Sequence, residues 1–305
     1  MSGIWDSDNL KKYNEIPIHK FDIGEGKTPL ISLKVDEQRI LIKDENTNPT
    51  GSFKDRCLVY QISHYHSLGS RAFVISSSGN AAISTGNILK TIPNTTLDIF
   101  IGFNINPAKI NKLMNLNSKY INIHQSHRPK SDAIQFAKKN NFINLRASND
   151  PIALIGYKTI AYELEQDAKT SGGIFIPSSS GTAALGIAMG FEDLGINIPI
   201  NICQTSKINS IASEFDLDYS QTDTSLADAI VDRVALRKKE LIGIINKSNG
   251  DAYVISDELL MIAKEKMLVS RKEYSYNSLL GLAGFLKAKS QGEKIQNPII
   301  LASGL

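Results

Sequence analysis

Short apolar runs alternate with helix-patterned stretches along most of this chain, and that alternation restricts the fold to an α/β type with mostly parallel strands. Residues 39–43 and 72–76 read as strands, each followed by a glycine-containing loop and a helical stretch. Residues 97–103 and 120–124 read as further strands, with a helix over 107–115 between them. Residues 152–166 read as a helix, and Gly172-Gly173 breaks the pattern before a strand at 174–177. Residues 198–204, 252–255 and 298–302 complete a second set of strands, with helices expected over 259–268 and 278–289. The length, 305 residues, accommodates one large domain or two moderate ones. No Pro/Gly/Ser-rich linker and no long repeat divides the chain.

One lysine stands apart from the rest. In Asn48-Pro49-Thr50-Gly51-Ser52-Phe53-Lys54-Asp55-Arg56, Pro49 and Gly51 mark a tight turn. Ser52, followed three residues later by Asp55, reads as an N-cap with an acidic partner, so a helix should start there. Lys54 then lies in the first turn, where the helix dipole disfavours an ammonium, and burial beside Phe53 would lower its pKa further. A lysine amine tuned in this way suits Schiff-base chemistry.

Two serine-rich loops share a design. Ser76-Ser77-Ser78-Gly79-Asn80 and Ser178-Ser179-Ser180-Gly181-Thr182 each follow an apolar strand and open a small-residue helix, over 81–89 and 183–191. Backbone N–H groups and hydroxyls at a helix start make an anion site, and small side chains let the anion approach closely.

The composition is 42% hydrophobic and 21% charged with a formal net charge of +3, which fits a globular protein and gives no sign of nucleic-acid binding. Cys57 and Cys203 lack metal-type spacing and read as buried thiols of a reducing compartment. His64 and His66 do not share a helix face, and His124 and His127 have no Cys or acidic partner nearby in sequence, so no metal site is expected. No apolar run approaches the ~20 residues of a membrane span. The polar start of the chain is unlike a signal peptide, and the expected location is cytoplasmic.

The lysine segment resembles that of the threonine synthases, within the fold type II (tryptophan synthase beta-like) pyridoxal-phosphate enzymes. Glu25-Gly26-Lys27-Thr28-Pro29-Leu30, Lys43-Asp44-Glu45, Ser77-Ser78-Gly79-Asn80 and Gly156-Tyr157-Lys158-Thr159 resemble further family segments, in family order. The resemblance implies two α/β domains with open, mostly parallel sheets and the cofactor, pyridoxal 5'-phosphate, in the cleft. It puts residues 1–56 and 151–305 in a large domain and 57–150 in a small one. It also implies that Lys54 holds the cofactor and is the catalytic residue. Asn80 would hydrogen-bond the cofactor's phenolic oxygen. Ser179, Ser180, Gly181, Thr182 and Ala183 would bind its phosphate, with hydroxyls replacing donors of the glycine-rich family loop. Ser77, Ser78 and Gly79 would take the substrate carboxylate. Ser303 is assigned to the pyridine nitrogen, although alignment on the preceding strand would put Ala302 there.

By the same resemblance the substrate is a small, phosphorylated amino acid, the reaction is elimination or replacement at Cβ or Cγ, and the assembly is a homodimer. Lys43 and Lys158 are the candidates for a substrate-phosphate site. The family's Glu-Pro-Ala-type segment is replaced here by Ser275-Tyr276-Asn277-Ser278. That departure keeps open a serine/threonine dehydratase, a phosphoserine-using cysteate or cysteine synthase, and a cofactor-binding homologue with little turnover.

Overall fold

The computed structural model describes residues 3–77, 79–103, 107–116 and 118–304. Its strands in chain order are β1 (Leu30–Val35), β2 (Gln38–Asp44), β3 (Ala72–Ser76), β4 (Thr96–Gly102), β5 (Ile121–Ser126), β6 (Ile143–Asn144), β7 (Ile174–Pro177), β8 (Ile200–Thr205), β9 (Ala252–Ile255) and β10 (Ile299–Ala302). They form a four-stranded sheet, β5-β4-β3-β6, and a six-stranded sheet, β1-β2-β10-β7-β8-β9. All pairings are parallel except the β1–β2 hairpin. The α/β class with mostly parallel sheets is therefore as expected from sequence.

Packing divides the chain into two units, Met1–Gly26 with Asn48–Gly156, and Lys27–Thr47 with Tyr157–Leu305. The first contains the four-stranded sheet. Val74 and Phe100 on one face pack with Ala133, Ala137, Phe136 and Phe142, so helix Pro129–Asn140 covers that face. The second contains the six-stranded sheet. Phe175, Cys203, Tyr253 and Ile300 form a core with Leu279, Leu282, Ala283 and Phe285 of helix Tyr276–Ser290. The Phe175 and Phe285 rings meet edge to face, with centroids 5.7 Å apart. Strands β7, β8, β9 and β10 are buried along their whole length. Parallel strands covered on both faces read as unbroken apolar runs, which is why these four were legible.

Strand β1, and with it the β1–β2 hairpin, and strand β6 were not read from sequence, whereas β2 was. The hairpin turns through Asp36 and Glu37, both at positive φ (46° and 64°). That geometry usually announces itself by Asn-Gly, which is missing here. Strand β6 has only two residues, too few to show a period.

Helix Lys54–Ser67 begins where expected, but not by the expected cap. The N-cap is Phe53, without a side-chain cap bond. The Asp55 carboxylate instead accepts the Thr50 N–H (2.8 Å) and hydroxyl, closing the turn ahead of the helix. The amides of Asp55 and Arg56 bond to the carbonyls of Ser52 and Phe53, a tight 3₁₀-like entry. Helix Ile152–Glu163 reaches this entry at Gly156, where a Cβ would stand 2.5 Å from the Arg56 carbonyl oxygen and 2.6 Å from Cys57 Cα. Backbone cannot yield as a side chain can. Gly156→Ala should lower unfolding stability by about 1–3 kcal/mol in urea titrations; an unchanged midpoint would refute the close approach.

Candidate active site

Each sheet reverses its strand order once. In the four-stranded sheet the chain runs outward through β3, β4 and β5 and then returns to place β6 on the other side of β3. In the six-stranded sheet it runs from β7 through β8 to β9, and β10 returns to the other side of β7. Loops leaving the carboxyl ends of strands separate at such a reversal, and ligands bind there in open α/β sheets. The loop leaving β3 contains Ser77 and Gly79, and the loop leaving β7 contains Ser179, Ser180 and Gly181. Both serine-rich loops expected from sequence to hold anions thus lie at the reversal of their own sheet.

In the first unit, Lys54 is the first residue of helix Lys54–Ser67, half-buried, with Nζ 4.8 Å from the Phe53 ring centroid. Asn80 opens helix Asn80–Leu89, which packs against the Lys54 helix, so Lys54 and Asn80 start neighbouring helices. Gly79 is the N-cap, and its N–H donates to Ser77 Oγ (3.2 Å). Ser78 lies outside the described residues.

In the second unit, Gly181 is the N-cap of helix Thr182–Asp193, at φ +84°. An added Cβ there would also collide with Leu241 Cδ1, at 1.9 Å, so glycine is required by conformation and by space. The hydroxyls of Ser180 and Thr182 bond to each other at 3.0 Å. One bond consumes one of their two hydrogens and leaves the other to donate elsewhere. Thr182 and Ala183 are the first residues of the helix, whose amides have no partner carbonyl within it. Ser178 Oγ, on a residue only 4% exposed, has no hydrogen-bond partner. The Ser179 hydroxyl is engaged within the unit: its Oγ accepts the N–H groups of Val231 and Asp232, both at 3.0 Å, and donates to Asp232 Oδ2 at 3.2 Å.

Sequence reasoning missed the side chain that holds this loop in shape. Gln204 is fully buried at the end of β8. Its Nε2 donates to the carbonyls of Ser178 (3.2 Å) and Ser179 (3.3 Å), and its Oε1 accepts the amides of Ile211 (2.8 Å) and Ala212 (2.9 Å). A glutamine inside an apolar strand run was the available signal. Ser303 follows β10 at the same edge of the sheet, 7% exposed, and donates to the Asn277 carbonyl at 3.5 Å. Gly304 accepts the Ser275 and Ser278 hydroxyls through its carbonyl, at 2.5 and 2.8 Å.

The two lysines considered for a substrate phosphate are both buried in ion pairs. Lys43 Nζ lies 2.6 Å from Glu163 Oε2 and donates to the Thr28 carbonyl at 2.6 Å, and Lys158 Nζ lies 3.0 Å from Asp193 Oδ2. Neighbouring Glu45 accepts the Thr28 hydroxyl at 2.6 Å.

Pyridoxal phosphate combines an aldehyde with a dianionic phosphate. The residues present fit each part of it by their chemistry: Lys54 offers an amine at a helix start for the aldehyde, and the 178–183 loop offers an orphaned buried hydroxyl, a spare hydroxyl hydrogen and open first-turn amides for the phosphate. Among the described residues no group of three or more His, Cys, Asp or Glu side chains is arranged to hold a metal ion, and no helix is long and apolar enough to cross a membrane.

A sequence profile described as "Pyridoxal-phosphate dependent enzyme" matches residues 21–301. Threonine synthase of Methanocaldococcus jannaschii is 24% identical over 289 residues, covering 88% of this chain and 71% of that protein. L-serine dehydratase/L-threonine deaminase of Mus musculus is 28% identical over 269 residues, covering 81% of this chain and 78% of that protein. Among solved structures, serine racemase from Dictyostelium discoideum superposes with a TM-score of 0.76 at 17% identity, covering 99% of this chain and 97% of that one.

Glu25, in the segment preceding β1, is fully buried, and burial pushes its carboxyl up to about 7 from 4.5, with the Asp22 charge adding to the effect and backbone N–H groups opposing it. Below pH 4.5 the group is protonated folded and unfolded alike. From there to about pH 7 the folded chain keeps a proton that the unfolded chain has lost, so stability falls as pH rises through this window. Glu25→Gln should therefore gain on the wild type, by up to about 3 kcal/mol, as urea unfolding is moved from about pH 5 to about pH 8. A pH-independent difference would exclude the buried proton.

Proposed function

Because this chain belongs to the pyridoxal-phosphate dependent enzyme family, we propose that it catalyses elimination or replacement at Cβ or Cγ of a small amino acid, first of all the threonine synthase reaction, in which O-phosphohomoserine and water give threonine and phosphate. The observation that carries this reading is Lys54 at the first position of its helix, within a segment resembling the threonine synthase lysine segment.

Bound pyridoxal phosphate would supply an aldehyde for amine capture and an electron-withdrawing ring that spreads negative charge from the substrate's Cα. Lys54 would hold the aldehyde and, once displaced by the substrate amine, take the proton from Cα through Nζ. Ser180, Gly181, Thr182 and Ala183 would bind the cofactor phosphate with hydroxyl and backbone donors, while Ser179 shapes the loop. Asn80 would orient the ring through its phenolic oxygen. Ser303 would offer the ring nitrogen a neutral hydroxyl, which avoids the stronger charge withdrawal that a carboxylate partner would impose. Ser77, Ser78 and Gly79 would hold the substrate carboxylate by the same helix-start chemistry. The homodimer and the cytoplasmic location belong to this reading as well.

A second reading, serine/threonine dehydratase, is favoured by the lysine pairs. Glu163 and Asp193 neutralise Lys43 and Lys158. Lending either charge to a substrate phosphate would weaken an ion pair whose lysine is buried and whose carboxylate is already engaged. A dehydratase needs no such site.

Purified wild type supplied with pyridoxal phosphate should develop the visible absorbance of a Schiff base, and Lys54→Ala should not. Wild type should then release phosphate from O-phosphohomoserine, or ammonia from threonine if the second reading holds. The Lys54→Ala rate should be lower by about 10²–10⁴-fold. Absence of the band in wild type would overturn the assignment.

A further inference from the structure

We propose that Asn277 is a positioning residue for the cofactor-phosphate loop, acting through the segment around residues 228–232; this rests on the reading that residues 179–183 bind the phosphate. Between the short helical turn Ala212–Glu214 and helix Lys238–Lys247 the chain has no helix or strand. Stretches of this length without regular structure are uncommon in compact domains and tend to serve function. This one is anchored at both ends of the functionally important part. At one end, Asn277 Oδ1 accepts the Ala229 N–H at 2.9 Å and Asn277 Nδ2 donates to Asp228 Oδ1 at 3.0 Å. At the other, Val231 and Asp232 donate their N–H groups to Ser179 Oγ, which returns its own hydrogen to the Asp232 carboxylate.

The Ser179 hydroxyl is thereby committed to the segment. It clamps the loop, while Ser180, Thr182 and the first-turn amides remain in place for the anion. Only an amide meets both demands at position 277. A carboxylate could accept from Ala229 but would repel Asp228, and an apolar side chain would lose both bonds. Asn277 stands in the Ser-Tyr-Asn-Ser segment that departs from the family pattern, so the departure brings a bond pattern of its own rather than a simple loss. The same segment holds the residues after β10, since Ser275 and Ser278 bond the Gly304 carbonyl.

The test is titration of wild type, Asn277→Ala and Asp228→Ala with pyridoxal phosphate and with pyridoxal, which lacks the phosphate, read by Schiff-base absorbance. Asp228 is exposed, so its variant tests the link even if Asn277→Ala folds poorly. Both variants should bind pyridoxal phosphate about tenfold more weakly, the scale of a lost hydrogen bond to a charged group, and pyridoxal with unchanged affinity. Combining Asn277→Ala with Ser179→Ala should weaken binding no further than Ser179→Ala alone, because both break one chain of contacts. Unchanged pyridoxal phosphate affinity in the variants, or equal loss for both aldehydes, would overturn the proposal while the functional reading stands. Wild type that captures neither aldehyde would overturn that reading and this inference with it.

Discussion

Strand β10 enters the six-stranded sheet between β2 and β7, and the second unit depends on that insertion. Ile299–Ala302 pairs in parallel with residues 41–44 on one side, and Ile299 and Ile300 pair with Ile174 and Phe175 on the other. Without it the β1–β2 hairpin would have no connection to β7–β9 within the sheet. With it, strand order reverses at β7, and the loop that opens helix Thr182–Asp193 leaves the sheet at that reversal. Ile299, Ile300, Leu301 and Ala302 are all buried, so their burial stabilises the arrangement by roughly 1.5–3 kcal/mol for each large side chain. Helix Tyr276–Ser290 packs over the same strands and, at its start, holds the residues that follow β10.

Around this frame the polar interior is satisfied piece by piece. Gln204 bridges two loops with all of its bonds made to backbone groups. Lys43 and Lys158 are neutralised by Glu163 and Asp193 within the second unit. Lys272 reaches Asp44 at 2.8 Å, and Tyr274 lies against the same carboxylate, with burial pushing its phenol well above the usual range. Buried charges that are paired hold their elements in register, and they are costly to redirect toward a ligand. Among the buried polar atoms with no hydrogen-bond partner is Ser178 Oγ, where β7 ends and a helix begins.

The α/β class was legible because fully covered parallel strands are written as unbroken apolar runs, and both loops were legible because small polar residues stood between such runs and small-residue helices. Lys54 was legible from its turn residues, although the helix N-cap is Phe53 and the preceding turn is closed by Thr50 and Asp55. Contacts distant in sequence were not legible. His124 was read as lacking an acidic partner, yet Asp98 lies 2.6 Å away across the β4–β5 pairing. Lys43 and Lys158 looked available because their carboxylate partners arrive from residues 163 and 193, whose positions no local pattern specifies.

Local chemistry by itself therefore determined most of the strands, the amine at a helix start and the two potential anion loops, because propensity, turn geometry and the helix dipole act over a few residues. Only the tertiary structure decided which serine hydroxyl is engaged by the 231–232 backbone, which lysines are already paired, and that Asn277 bonds the segment that reaches Ser179. Those outcomes depend on hydrogen bonds and ion pairs that exist only once parallel strands and their crossovers have brought distant residues together.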